Sequence, residues 1–77
     1  MILNIKYFGL ITEITGTSEE TYEFTGSSIN DLLMQLISKY PELENKDFQV
    51  AQGMQISNLS ELVTGHDIAL LPPFSGG

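Results

Sequence analysis

The last six residues, Pro72-Pro73-Phe74-Ser75-Gly76-Gly77, are the part of this sequence whose residue types suit a chemical step. A terminal carboxylate is a poor acyl donor, and adenylation gives it a good leaving group. Attack by a sulfur nucleophile then leaves a terminal thiocarboxylate, and attack by an amine leaves an isopeptide. Either route requires the carboxyl group to enter another protein's active site on a thin stretch of chain. Gly76 and Gly77 have no Cβ, so they fit a narrow passage and adopt backbone angles closed to other residues. Pro72 and Pro73 cannot donate to a sheet ladder and favour an extended, polyproline-like exit. Six extended residues reach at most about 20 Å. At average glycine usage a terminal glycine pair arises by chance in roughly one chain in 200, so the preceding prolines add much of its weight.

The remaining residues suit little other chemistry. Cysteine is absent, which excludes disulfides, thiolate metal sites, a catalytic thiol and a side-chain persulfide. Any sulfur this chain carries must therefore sit on its C-terminal carbon. The single histidine, His66, lies in the turn sequence Thr64-Gly65-His66-Asp67 and reads as an exposed turn residue. A metal site is not expected, and neither is an acid–base constellation. Three lysines (Lys6, Lys39, Lys46) face ten carboxylates, with no arginine, for a net charge of −7. Phosphate neutralisation needs Lys and Arg, so nucleic acid is excluded as a partner. An anionic membrane surface is excluded for the same reason. The charge serves solubility, or it steers the chain to a basic partner protein. No run approaches the ~20 apolar residues of a membrane span. Asn4 and Lys6 interrupt the apolar start, unlike a signal peptide, and a cytoplasmic location is expected.

The 77 residues, 42% hydrophobic and 17% charged, make one compact domain. Ile2 to Phe8 reads as a strand, because Leu3, Ile5 and Tyr7 alternate with Asn4 and Lys6. Leu10 to Thr15 is one helical turn or a loop, closed by Gly16. Glu20 to Thr25 alternates again, with Tyr22 and Phe24 on one side, which suggests an antiparallel hairpin with a long loop. Ser28 and Asp31 form a capping pair at a helix start. Ile29, Leu32, Leu33, Leu36, Ile37 and Tyr40 then make one apolar stripe at helical spacing. Pro41 ends that helix. Phe48 to Ile56 holds one or two short strands broken near Gln52-Gly53, Leu59 to Leu62 a short turn, and Ile68 to Leu71 a last strand.

The order β, β, α, β, β has one helix to cover one sheet face. The natural solution is an α+β fold, a mixed sheet curled around the helix: the β-grasp, or ubiquitin-like, arrangement. Its first and last strands lie side by side and parallel in the middle of the sheet. Residues 1–71 form this domain and residues 72–77 a projecting tail. Leu3, Ile5, Tyr7, Ile68 and Leu70 should face the helix. By alternation Phe8 and Leu71 point to the other face. They are either scattered surface hydrophobics or a partner-docking patch beside the tail.

The whole chain resembles the small subunit of molybdopterin synthase, a ubiquitin-like sulfur carrier. The matching segments are Tyr7-Phe8 with Glu13 and Gly16, the helix stripe, and above all the run from Gly65 to Gly77. The terminal P-P-x-S/T-G-G after an apolar strand is the specific part. The resemblance implies that Gly77 is adenylated by an ATP-using activating enzyme and then thiocarboxylated. It implies that Pro72, Pro73, Phe74, Ser75 and Gly76 insert into the large subunit, with Phe8 and Leu71 in the docking face. Sulfur then passes to a cyclic pyranopterin precursor to build the molybdopterin dithiolene, in a complex of two small and two large subunits. No cofactor is bound by the chain itself; ATP is used by the activating enzyme. Three positions depart from the family pattern: Thr12 where arginine is frequent, Ala51-Gln52 where Val-Asn is usual, and Phe74 where valine is common.

Other readings of the diglycine tail are a thiamine-pathway-type sulfur carrier and a modifier joined to lysines. The thiamine-pathway carriers are shorter and lack Pro-Pro before the diglycine. A passive binding module would not need Gly76-Gly77 at all.

Overall fold

The computed structural model describes residues 1–73. Strand β1 (Ile2–Tyr7) buries every second residue: Leu3 and Ile5 are fully enclosed and Tyr7 nearly so. The five-residue helix α1 (Ile11–Thr15) follows, so the segment after β1 is a helical turn and not a loop. It has no side-chain cap at its start. The N–H groups of Ile11, Thr12 and Glu13 bond instead to the carbonyls of Phe8, Gly9 and Leu10, the tight i→i−3 pattern of a 3-10 entry. Gly16 ends α1 in the left-handed conformation.

Strand β2 (Glu19–Glu23) pairs antiparallel with β1, with Tyr22 opposite Leu3 and Glu20 opposite Ile5. It ends two residues before the expected Thr25, because Glu23 already pairs with Ile2 at the start of β1. Phe24 is nonetheless buried, with its N–H bonded to the carbonyl of Met1.

Helix α2 (Ile29–Lys39) starts as expected. The Ser28 hydroxyl accepts from the Asp31 N–H at 3.1 Å, and the Asp31 carboxylate accepts from the Ser28 N–H at 3.0 Å. This reciprocal capping satisfies two donors that an open helix start leaves unpaired. Bonds from the Ser28 and Ser27 N–H groups hold the Asp31 carboxyl below the usual carboxylate range. Ile29, Leu32, Leu33 and Leu36 are buried, and Ile37 and Tyr40 pack against the core edge. A 3-10 helix at Pro41–Asn45 follows, a feature the sequence pattern did not announce, and it buries Leu43.

Strands β3 (Gln49–Gln52) and β4 (Gln55–Ile56) form a hairpin. Gly53 and Met54 make its turn with φ of +59° and +70°, the twist that suits two-residue hairpins. Strand β5 (Ile68–Leu71) closes the sheet. The strand order is β2-β1-β5-β3-β4, with β1 and β5 parallel and the other pairs antiparallel. The single long helix covers one face of this mixed sheet, and the fold is the β-grasp expected of the sequence.

Candidate functional site

Parallel pairing of β1 and β5 sets the site's geometry. Ile5 lies beside Ile68, Lys6 beside Ala69 and Tyr7 beside Leu70. Ile5, Tyr7, Ile68 and Leu70 are buried toward the helix. The next residues, Phe8 and Leu71, therefore stand together on the opposite face. The Phe8 N–H donates to the Leu70 carbonyl at 3.2 Å, so the two strand ends stay joined one step past the end of β1. Phe8 remains 44% exposed. Leu71 is half-buried, and Pro72 and Pro73 follow it as exposed residues.

Phe8 and Leu71 border a shallow groove of about 470 Å³ on this uncovered face. Its lining includes the small Ala69 and Ala51, which face each other across β5 and β3. Met54 and Ile56 stand at the hairpin side. Both are exposed, Met54 almost completely. Lys6 and Asp67, 3.7 Å apart, are the charged members of the lining. Both side chains are well exposed, so that pair contributes little to stability. The alternation that placed Phe8 and Leu71 also places Ala69. Met54, Ile56 and Ala51 were missed, because β3 and β4 had no assigned register.

The tail base is fixed on its other side by Gly9. Its φ is +60°, and a Cβ there would approach the Pro72 ring to 2.9 Å. Glycine therefore lets the β1–α1 turn press against the first tail proline. Thr12, one of the three departures, spends its hydroxyl locally: it donates to the Gly9 carbonyl at 2.7 Å. Gln52, another departure, is buried and bonds to the loop before β5. Its amide donates to the Leu62 carbonyl at 2.8 Å and its oxygen accepts from the Thr64 N–H at 3.1 Å. Of the expected tail, Pro72 and Pro73 follow β5 outside the sheet; Phe74, Ser75, Gly76 and Gly77 lie outside the described residues.

A polar cluster on the helix side holds the same strand ends from beneath. The Glu20 carboxylate accepts from Tyr7 at 2.5 Å, Tyr40 at 2.6 Å and Lys39 at 2.6 Å. Partial burial works against the Glu20 charge, but these three donors outweigh it and leave the carboxyl below its ordinary value. Burial and the adjacent carboxylate push both tyrosine phenols up, Tyr7 far beyond the usual range. These groups are tied to one another and do not reach the uncovered face. Among the described residues, no three His, Cys, Asp or Glu side chains are grouped to hold a metal ion. No helix among them is long and apolar enough to cross a membrane.

The β-grasp domain thus has an apolar uncovered face beside Pro72 and Pro73. The model of the ThiS family matches residues 5–77, and the chain belongs to that family. It is 31% identical over 83 residues to the molybdopterin synthase sulfur carrier subunit of Chlamydomonas reinhardtii, covering 100% of both chains. The subunit of that name from Mycobacterium tuberculosis is 31% identical over 80 residues, covering 97% of this chain and 96% of the relative. Among solved structures, SAMP1 of Haloferax volcanii superposes with a TM-score of 0.82 at 25% identity over 100% of both chains. The two named subunits agree with the resemblance that the tail and helix stripe carry.

Proposed function

We propose that this chain is the sulfur carrier and small subunit of a molybdopterin synthase. The observation that supports it best is the meeting of Phe8 and Leu71 at the point where Pro72 leads out of the sheet. A partner that grips this face receives the tail in one fixed direction. Full-length likeness to two carrier subunits of that enzyme supports the same reading.

In this reading the chain supplies an acyl group and no catalytic side chain. The Gly77 carboxylate attacks the α-phosphate of ATP in an activating enzyme, releasing pyrophosphate and leaving an acyl adenylate. Sulfide displaces AMP from the acyl carbon, and the terminus becomes a thiocarboxylate. The tail, Pro72 to Gly76, enters the large subunit. There the thiocarboxylate sulfur attacks a side-chain carbon of the cyclic pyranopterin precursor, forming a C–S bond as a C–O bond at that carbon breaks and its oxygen leaves. Hydrolysis of the resulting thioester leaves sulfur on the pterin and restores the carboxylate. Two such transfers supply the two sulfurs of the dithiolene, which suits an assembly of two small and two large subunits in the cytoplasm. The test is reconstitution with the large subunit: dithiolene formation should require thiocarboxylated Gly77 and stop when Gly77 is deleted.

The likeness to SAMP1, a small archaeal modifier protein by name, favours a second reading in which Gly77 is joined to lysines. The activation step is shared, and the acceptor is an amine. Higher-mass conjugates that release a lysine-linked diglycine remnant on digestion would establish it.

A further inference from the structure

Met54 sits where the backbone disfavours it. Strands β3 and β4 pair Gln52 with Gln55, so Gly53 and Met54 are the two turn residues. A two-residue turn of this hand needs positive φ at both positions, which suits Gly, Asn or Asp. Met54 adopts +70°, with its Cβ crowded against the following carbonyl. Every other described residue with a positive φ is a glycine. Packing within the chain does not offset this strain, because Met54 is 99% exposed.

The surroundings give the strain a use. Met54 and Ile56 line the hairpin side of the groove that Phe8 and Leu71 border. The small Ala69 and Ala51, opposite each other across β5 and β3, give it a floor without large side chains. Its charged members, Lys6 and Asp67, stand 3.7 Å apart, so the groove offers a partner no unbalanced charge.

We infer that Met54 is a specificity residue of the docking face, covering an apolar side chain that the large subunit sets over Ala51 and Ala69. The inference rests on the sulfur-carrier reading given above, which assigns this face to the large subunit. Two observations select that occupant. The groove runs on from Phe8 and Leu71 to Met54, and a stable interface covers roughly 800 Å² on each partner, far more than two side chains expose. The lining is apolar and its charges are paired, so an apolar side chain fits it and a charged one does not. An unbranched thioether adapts its shape to such a neighbour. Strain kept at an exposed residue, with no packing in the free chain to hold it, points to a role in contact.

The test combines thermal melts of the full-length chain with calorimetric titration of the large subunit. Met54→Asn makes a Gly-Asn turn, which accepts positive φ. We expect M54N to raise the thermal midpoint by about 4 °C and to weaken binding about tenfold. Met54→Leu keeps both the strain and the apolar bulk, and should stay near native in both readouts. A purely structural residue would not move stability and affinity in opposite directions. Native affinity in M54N, with Phe8→Ala still losing binding, would overturn this inference and leave the carrier reading standing. An unchanged or lower midpoint in M54N would overturn it as well, since no strain would then be held for the contact. Weaker binding of M54N to the activating enzyme alone, or a native dimer that M54N dissolves, would also overturn it. Those two outcomes would assign Met54 to that enzyme or to a second copy of the chain. If the native chain neither binds the large subunit nor accepts sulfur, both readings fail.

Discussion

Replacing Phe8 with alanine tests the uncovered face directly. Phe8 is 44% exposed in the free chain. An aromatic side chain buries roughly 150–250 Å² in all, so the part left for a partner to cover is roughly 90 Å². At about 25 cal/mol per Å², that area is worth about 2 kcal/mol. The loss corresponds to roughly 30-fold in Kd, an upper figure, because polar groups desolvated nearby oppose it. The assay is calorimetric titration of the large subunit with native and F8A chains, alongside thermal melts of each. Phe8→Leu should recover most of the affinity. The melts should separate the effects, since Phe8 lies past the last residue of β1 and outside the buried core. A change below threefold in Kd, with the fold intact, would refute the assignment of Phe8 to the docking face.

Other perturbations follow from the same geometry. Gly9→Ala must hold a side chain at φ +60° and against Pro72, so it should destabilise the domain by about 1–2 kcal/mol and slow sulfur loading of the tail, both measurable in one preparation. Glu20→Ala leaves the buried Tyr7 hydroxyl without its acceptor and should cost about 2 kcal/mol, lowering the thermal midpoint by about 10 °C. The lowered Glu20 carboxyl adds stability that is present above its ordinary range and lost as pH falls through its folded value. Acid titration of E20Q should therefore show a shallower loss of stability below about pH 4.5 than the native chain does. Gly76→Val should abolish sulfur transfer in the reconstituted synthase without moving the melt; a matching loss of stability would count against a tail with a purely chemical role.

Local patterns carried most of the fold. The period of two in β1, the apolar stripe of α2 and the Ser28–Asp31 capping pair are each complete within one element, so they were legible in the sequence. The position of Phe8 and Leu71 on the uncovered face followed from alternation once the central pair was taken as parallel. The 3-10 helix was not legible. Within Pro41–Asn45 only Leu43 is apolar, so no period exists to read; its place is set by the core beneath it. The Glu20 cluster was equally hidden. Its partners come from 13, 19 and 20 residues away, and only the folded topology brings them to one carboxylate. The close approach of Gly9 to Pro72 was hidden too, since no local pattern encodes it.

The central claim is that Gly77 carries sulfur, and the most direct measurement is chemical trapping of the C-terminus. The chain is incubated with the activating enzyme, ATP and a sulfur donor, then alkylated and digested. Intact mass alone is ambiguous, since exchange of sulfur for oxygen and oxidation of Met1, Met34 or Met54 add nearly the same mass. The account predicts an alkylated thiocarboxylate on the C-terminal peptide, dependent on ATP and lost in the Gly77 deletion. An unmodified Gly77 under these conditions, with lysine-linked conjugates in cell extract, would contradict it.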